Sequence, residues 1–174
     1  MKNKTLFIII LIFTLFCFFI FLKSLNNSNI YIPPKNLDRK LVSFNTTTLF
    51  GNKTIGSDDL FIEDKIYLLN LWASWCAPCR YEHKNLMKLS NNKSIKIIGI
   101  NYRDSLINAK NFINKFGNPY SEILTDKDGT IAINLGAIGV PETYIISKNK
   151  KILKKILGPI NSEHIKEIEN LSIK

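Results

Sequence analysis

The chain has 174 residues, which is enough for one domain with its own hydrophobic core plus a short appendage, so disulfide staples are not needed for folding. Its formal charge is +10. Lysine is spread along a chain that is also rich in Asn and Ile, so the charge indicates a solvated basic surface and disfavours a nucleic-acid site. The densest basic cluster, 148–155, fits a turn and an exposed strand, or a contact with lipid headgroups.

An apolar segment occupies residues 5–22, which carry no charge and consist mainly of Phe, Ile and Leu. As a helix it would reach about 27 Å, close to a hydrocarbon core of roughly 30 Å. A cleaved signal peptide would have a shorter apolar region and a cleavage site of small residues, which 23–26 does not offer. We therefore expect an uncleaved membrane anchor at 1–22, with Cys17 as an apolar side chain within it.

Beyond the anchor we expect a linker at 23–40 and a folded domain at 41–174. The linker is polar and ends in the stiff pair Pro33 and Pro34. Lys2 and Lys4, which precede the apolar segment 5–22, favour a cytoplasmic N-terminus, which places the folded domain outside the membrane.

Within the domain, hydrophobic periodicity and turn residues predict strands that alternate with helices. The predicted order is a hairpin or irregular strands over 41–55 with a bend at Gly51 and Asn52, a helix start at 57–59, a strand over 66–72, a helix to about 89, a strand over 94–100, a helix over 105–116, a strand over 121–125, a short helix to about 135, strands over 143–147 and 151–157, and a helix over 162–171 capped by Ser162. This order predicts an α/β fold with a mixed central sheet and helices on both faces.

The segment 72–79, WASWCAPC, lies where the buried strand ends and a helix begins. Backbone N–H groups and the helix dipole at such a place stabilise an anion, so they favour a thiolate on Cys76. Cys17 lies far away inside the apolar segment, which leaves Cys76 and Cys79 as the working pair. Residues three apart on a helical turn meet the separation of about 5.5 Å between Cα atoms that a disulfide needs.

These positions assign different roles to the two thiols. Cys76, nearer the helix end and the more exposed, is expected to attack, Cys79 to resolve the mixed disulfide, and Pro78 to fix the first helical turn. The alternatives are two buried thiols or a zinc site, but the only histidines are His83 and His164, too few to complete four ligands. His83 fits a surface position on the helix without a catalytic part.

A second feature is Gly139-Val140-Pro141-Glu142-Thr143, a proline directly before a strand. A cis peptide is possible there, and an unpaired carbonyl with no N–H would offer an edge to an extended peptide. With the cysteine turn, this arrangement resembles the thioredoxin fold, in which a Cys-x-x-Cys turn faces a cis-proline loop.

Five motifs indicate a particular family within this fold: WASWCAPCRYEH (72–83), GINYRD (99–104), GNPY (117–120), DG (128–129) and GVPET (139–143). Their order is similar to that of the membrane-anchored thiol:disulfide interchange proteins of cytochrome c maturation, the CcmG/DsbE type. This resemblance covers the chain from about Leu41 to its end, and the anchor agrees with it.

The resemblance implies an extracytoplasmic oxidoreductase, single-pass in the bacterial inner membrane, with its catalytic domain in the periplasm. It would reduce the Cys-x-x-Cys-His haem-attachment site of apocytochrome c, directly or through a partner thiol protein. A membrane electron carrier of the DsbD or CcdA kind would recharge it. No cofactor, metal or nucleic acid is implied. The alternatives are a general extracytoplasmic thioredoxin-like reductase and a module that binds apocytochrome without redox turnover.

Asn70 stands where thioredoxin has a buried Asp, so that proton acceptor is missing. By resemblance, acidic residues elsewhere compensate, and we favour Glu142 beside the catalytic Pro141 over Glu82; the alternative for each is an exposed carboxylate without a role. Trp72 and Trp75 are expected to pack under and beside the active site. Three further residues could shape the rim that selects partners or serve as ordinary turn and packing residues: Tyr102, Asn118 and Tyr120.

Overall fold

The computed structural model describes residues 2–26 and 39–172, and most of the predicted linker, with Pro33 and Pro34, lies outside them. The chain divides into two compact units, of which the first contains helix α1 (Lys2–Asn26) and the second contains every other element. In α1 the stretch Lys4–Leu25 is long and apolar enough to cross a membrane. Its side chains, Cys17 among them, are exposed on every side, which fits a helix surrounded by lipid.

The second unit is built on a five-stranded mixed sheet in the order β5-β4-β3-β6-β7. Strands β3, β4 and β5 are parallel, and β6 and β7 are antiparallel to their neighbours. The bounds are β1 (Asn45–Thr47), β2 (Thr54–Gly56), β3 (Ile66–Trp72), α2 (Ala77–Leu89), β4 (Ile95–Tyr102), α3 (Leu106–Phe116), β5 (Glu122–Asp126), α4 (Thr130–Leu135), β6 (Glu142–Ile146), β7 (Ile152–Leu157) and α5 (Ser162–Leu171).

Helices cover both faces of this sheet, as the sequence predicted. Because side chains alternate along a strand, Leu68 and Trp72 of β3 join a core with α2, α3 and α5. Leu69 and Leu71 join the opposite core, which contains α4 and residues from the segment 41–61. The apolar run of β3 is thus explained by burial on both faces.

Two predicted termini differ from the structure, and the predicted hairpin is present. β1 pairs antiparallel with β2, and the bend has positive φ at Gly51 (88°) and Asn52 (54°). Residues 57–59 form a single 3₁₀ turn instead of starting a longer helix. The cap of α5 is Asn161, not Ser162, because the Asn161 side chain accepts the N–H groups of residues 163 and 164.

Candidate active site

The cysteine turn begins α2 at the carboxyl end of β3. Cys76 is the N-cap of α2, and its Sγ accepts a hydrogen bond from the Cys79 N–H at 3.1 Å. The two residues form a disulfide with their Cα atoms 5.3 Å apart. Pro78 lies in the first helical turn, where an N–H would have no helical partner. After reduction, the helix dipole and the Cys79 N–H favour a thiolate on Cys76.

Exposure hardly distinguishes the two cysteines, which are 3% and 2% exposed. The feature that favours Cys76 as the attacking thiol is therefore its position at the N-cap of α2, and not its exposure.

Asp104 fixes the residues that precede the disulfide. Its two carboxylate oxygens accept four hydrogen bonds of 2.6–3.0 Å, from the N–H and hydroxyl of Ser74, the side-chain amide of Asn101 and the N–H of Ser105. The indole Nε1 of Trp75 donates to the Arg103 carbonyl at 3.2 Å, while the Trp75 side chain stays 59% exposed. The turn is thus anchored to the end of β4, and the Trp75 ring faces solvent next to Cys76.

The proline loop, residues 136–141 between α4 and β6, lies at the same end of the sheet as the cysteine turn. The Val140–Pro141 peptide bond is cis. Since Glu142 pairs with Leu71 near the end of β3, the loop and the cysteine turn leave the sheet side by side. The Pro141 carbonyl accepts the Gly158 N–H at 3.0 Å, so the expectation of an unpaired carbonyl there was wrong. Within the described residues, the main chain of Val140 makes no hydrogen bond, which leaves Val140 open to an extended peptide.

Glu142 holds this loop from behind and is 2% exposed. Its Oε1 accepts the N–H groups of Ile138 and Gly139 at 2.7 and 3.2 Å. The ammonium group of Lys155 on β7 lies 2.9 Å from Oε2 and also donates to the Gly136 carbonyl at 2.8 Å. The Lys155 side chain is 4% exposed, so the expected exposed-strand lysine is buried at this position. Lys155 as a whole residue is half-buried, because its main chain is more exposed than its side chain.

Asn70 is the centre of a buried hydrogen-bond network. Its Nδ2 donates to Glu82 Oε1 at 2.9 Å and to the Thr143 hydroxyl at 3.0 Å. Its Oδ1 accepts from the Tyr120 hydroxyl at 2.9 Å. The second oxygen of Glu82 accepts the Ile160 N–H at 2.8 Å. Where thioredoxin has a buried Asp in β3, this chain therefore has Asn70 hydrogen-bonded to the carboxyl group of Glu82 from α2.

Glu82 is 1% exposed and shares a face of α2 with Cys79, three residues earlier. Burial raises the pKa of Glu82 to about 7, although the hydrogen bonds from Ile160 and Asn70 act in the opposite direction. A carboxyl group with that pKa can gain or lose a proton at neutral pH. Burial, helped by the Glu82 charge, raises the pKa of Tyr120, whose hydroxyl therefore remains a proton donor. The interpretation of Glu82 and Glu142 as exposed carboxylates is wrong.

His83 is also buried, at 4% exposure, so its predicted surface position was wrong. Its ring lies edge-on to Phe112, with centroids 5.1 Å apart, and its Nε2 is 3.0 Å from the Gly117 carbonyl oxygen. Burial lowers the pKa of His83. Within residues 2–26 and 39–172, no three His, Cys, Asp or Glu side chains lie together as possible metal ligands.

The residues considered for the rim fall in different places. Tyr120 is buried and stacks on the buried Trp72 ring with centroids 5.7 Å apart, so it is a packing residue and not part of the rim. Asn118 is exposed and accepts the Tyr120 N–H at 3.0 Å, which stabilises the turn before β5. Tyr102 is half-buried and lines a small cavity of about 40 Å³ with Ile138 and other residues of the proline loop.

Sequence reasoning did not place Glu82 and His83 in the interior, and it missed Asp104 and Lys155. The first two follow Cys79 by three and four residues and precede Leu86 by four and three, so helical spacing places them on the buried stripe of α2. That signal was present in the sequence. Asp104 and Lys155 carry no comparable local signal, because the bonds of Asp104 to Ser74 and of Lys155 to Glu142 join residues that are distant in the sequence.

A disulfide at the start of a helix, next to a cis-proline loop at the same end of the central strands of a mixed sheet, defines the class of thioredoxin-like redox proteins. The redoxin family model matches residues 41–171. The chain is 38% identical over 137 residues to the thiol:disulfide interchange protein DsbE of Pseudomonas fluorescens biotype C, covering 76% of this chain and 75% of that one. It is 41% identical over 109 residues to CycY of Rhizobium leguminosarum bv. viciae, covering 63% and 59%.

The solved structures agree on the fold. The crystal structure of a thiol:disulfide interchange protein DsbE from Chlorobium tepidum superposes with a TM-score of 0.65 at 19% identity, covering 82% of this chain and 100% of that one. The chain therefore belongs to the redoxin family, as a thioredoxin-like protein of the CcmG/DsbE type. Its activity is that of a thiol:disulfide oxidoreductase.

Proposed function

We propose that this protein is a reductant of apocytochrome c during cytochrome c biogenesis, acting on the Cys-x-x-Cys-His disulfide directly or through a partner thiol protein. A membrane electron carrier of the DsbD or CcdA kind would supply its electrons. The anchor at 1–22, nearly all of which lies in helix α1, would be a single inner-membrane span. The linker at 23–40, whose first residues continue that helix, and the catalytic domain at 41–174 would follow it in the periplasm. The observation that carries the proposal is the Cys76–Cys79 disulfide at the start of α2, in a chain similar to DsbE.

The reaction transfers two electrons in two exchanges. In the reduced protein the Cys76 thiolate attacks one sulfur of the partner disulfide, forms a mixed disulfide and releases the other partner sulfur as a thiolate. The Cys79 thiol then loses its proton and attacks Cys76 Sγ, which closes the Cys76–Cys79 disulfide and releases the second partner thiolate. Pairing of the partner main chain with Val140, next to Pro141, would align the disulfide for the first attack.

The second exchange needs an acceptor for the Cys79 proton. Glu82 meets this need because it lies one helical turn from Cys79, is buried beside Asn70 and has a pKa of about 7. Glu142 was the acceptor favoured from the sequence, but its carboxylate is occupied by the loop N–H groups and by Lys155. We therefore assign proton transfer to Glu82 and the positioning of the proline loop to Glu142.

Trapping the mixed disulfide tests the redox assignment. In Cys79→Ser the attacking thiol remains and the resolving thiol is absent, so the variant should accumulate a mixed disulfide with apocytochrome c or with the partner thiol protein. Cys76→Ser is the matched control and should trap nothing. A module that only binds apocytochrome would keep its function in Cys76→Ser, and absence of any trapped partner in Cys79→Ser would contradict the proposal.

Substrate preference separates a dedicated reductant from a general one. The reduced full chain in detergent should reduce an oxidised Cys-x-x-Cys-His peptide faster than a peptide with an unrelated disulfide; equal rates would favour the general reductase. The reduction potential decides the direction of electron flow, since related folds span roughly −270 to −120 mV. A value at the oxidising end of that range would make the protein an oxidant.

A further inference from the structure

The lysines that are scattered along the sequence are not equivalent in the structure. Around β7 and α5 four of them pair with carboxylates: Lys148 with Asp64, Lys150 with Asp58, Lys154 with Glu167 and Lys155 with Glu142. The two helices that flank the cysteine turn differ. Together α2 and α3 contain one acidic residue, Glu82, which is buried, and five basic residues: Arg80, Lys84, Lys88, Lys110 and Lys115.

Two of these cations border a groove of about 340 Å³ between α3 and the first turn of α2. We call it the α2–α3 groove and define it by Trp75, Arg80, Asn111, Lys115 and Phe116. The Arg80 guanidinium carbon and the Lys115 ammonium nitrogen each lie 5.5 Å from the centroid of the Phe116 ring. Both cations therefore lie against the same ring at one wall of the groove.

Neither cation, Arg80 or Lys115, has a carboxylate partner among the described residues. The Asp104 carboxylate, which is bonded to Ser74 at the groove, accepts four hydrogen bonds and forms no ion pair with either cation. Two cations that contact one ring and lack a carboxylate partner attract an incoming carboxylate, and Arg can bind it through two parallel hydrogen bonds.

We propose that the α2–α3 groove binds an acidic segment of the partner polypeptide next to its reactive disulfide. The groove reaches Trp75, which directly precedes Cys76, so a chain whose disulfide is attacked at Cys76 extends across the groove on one side. Asn111 offers an amide to the main chain of that segment, and the exposed Trp75 ring offers an apolar contact. This inference rests on the proposed function and adds a partner chemistry to the same site.

The test compares two synthetic peptides that share one oxidised Cys-x-x-Cys pair and differ in carrying three Glu or three Gln beside it. The reduced full chain in detergent should reduce the Glu peptide roughly tenfold faster at low salt, and added salt should diminish this preference. In Arg80→Gln/Lys115→Gln the preference should disappear. Because Arg80 adjoins Cys79, the rate with the Gln peptide serves as the internal reference for any direct effect on the thiols.

The matched control is Lys88→Gln/Lys93→Gln, which removes the same two charges at the far end of α2 and in the turn before β4. It should keep the preference for the Glu peptide. Equal rates with both peptides in the unmodified protein would overturn the inference, and so would an equal loss in the control, which would assign the effect to net charge. If neither peptide is reduced, the proposed function fails, and binding of the Glu peptide measured by tryptophan fluorescence still decides the inference.

Discussion

Replacing Glu82 by Gln removes a buried ionisable group with little change in shape. In the folded protein the pKa of Glu82 is raised from 4.5 to about 7, chiefly by burial. Such a shift corresponds to roughly 3 kcal/mol between the protonated and ionised folded forms. Below pH 4.5 the carboxyl group is protonated in both the folded and the unfolded chain. Between pH 4.5 and about 7 the unfolded chain loses this proton while the folded protein keeps it.

The stability of the unmodified protein should therefore fall as pH rises through this window, relative to Glu82→Gln. The difference in unfolding free energy between the two proteins should change by up to roughly 3 kcal/mol from pH 4.5 to pH 7.5. Urea unfolding of the oxidised full chain in detergent, followed by tryptophan fluorescence, measures it. Other titrating groups such as His83 are common to both proteins and cancel in the difference.

Glu169→Gln, which removes one partly exposed carboxyl group on α5, is the matched control. A pH-independent difference between Glu82→Gln and the unmodified protein would refute the raised pKa. The kinetic counterpart is the decay of a mixed disulfide between Cys76 and a model peptide. Its rate should rise through pH 7 in the unmodified protein and be slower, without that rise, in Glu82→Gln. Unchanged decay would exclude Glu82 as proton acceptor.

Three further changes test the packing around the site. Lys155→Met leaves the Glu142 carboxylate buried without its cation and should lower the free energy of unfolding by about 3 kcal/mol, measured in urea. The control is Lys154→Met, which breaks a more exposed pair and should cost less than about 1 kcal/mol. Equal losses in the two variants would contradict the buried pair. Gly99→Ala would place a Cβ 2.9 Å from Tyr120 Cδ1 and should cost about 1–3 kcal/mol, so an unchanged midpoint would contradict this close approach. Asn161→Ala should cost about 1 kcal/mol through loss of the α5 cap, and circular dichroism during unfolding checks that the loss exceeds that of Ser162→Ala.

Most of the fold could be predicted because local signals and tertiary structure agree. The strand Ile66–Trp72 was predicted with its final bounds, since an uninterrupted apolar run of that length fits a strand buried on both faces. Gly and Pro residues marked the hairpin bend and the end of α3. The cap of α5 was misplaced by one residue because Asn161 and Ser162 are both good caps, and only the backbone geometry decides between them.

The cysteine pair and the cis proline could be located from the sequence because each depends on its immediate neighbours. The different surroundings of Glu82 and Glu142 could not be predicted from the sequence. Proximity of Glu142 to Pro141 along the chain suggested proton chemistry, yet the Glu142 side chain turns toward β7, where Lys155 meets it. That contact depends on the register of β6 and β7, in which Tyr144 pairs with Lys155. No pattern within either strand encodes it.

The different surroundings of the two buried carboxyl groups explain why one site can contain both. Glu142 is matched by an ammonium group and two loop N–H groups, so its negative charge is balanced where it holds the proline loop. Glu82 receives hydrogen bonds from Asn70 and Ile160, and no cation pairs with it among the described residues, so burial favours its neutral form. An Asp in place of Asn70 would put a second carboxyl group against Glu82, and like charges at that separation would compete for one proton. Asn70 therefore fits the proposal that proton transfer depends on Glu82 alone.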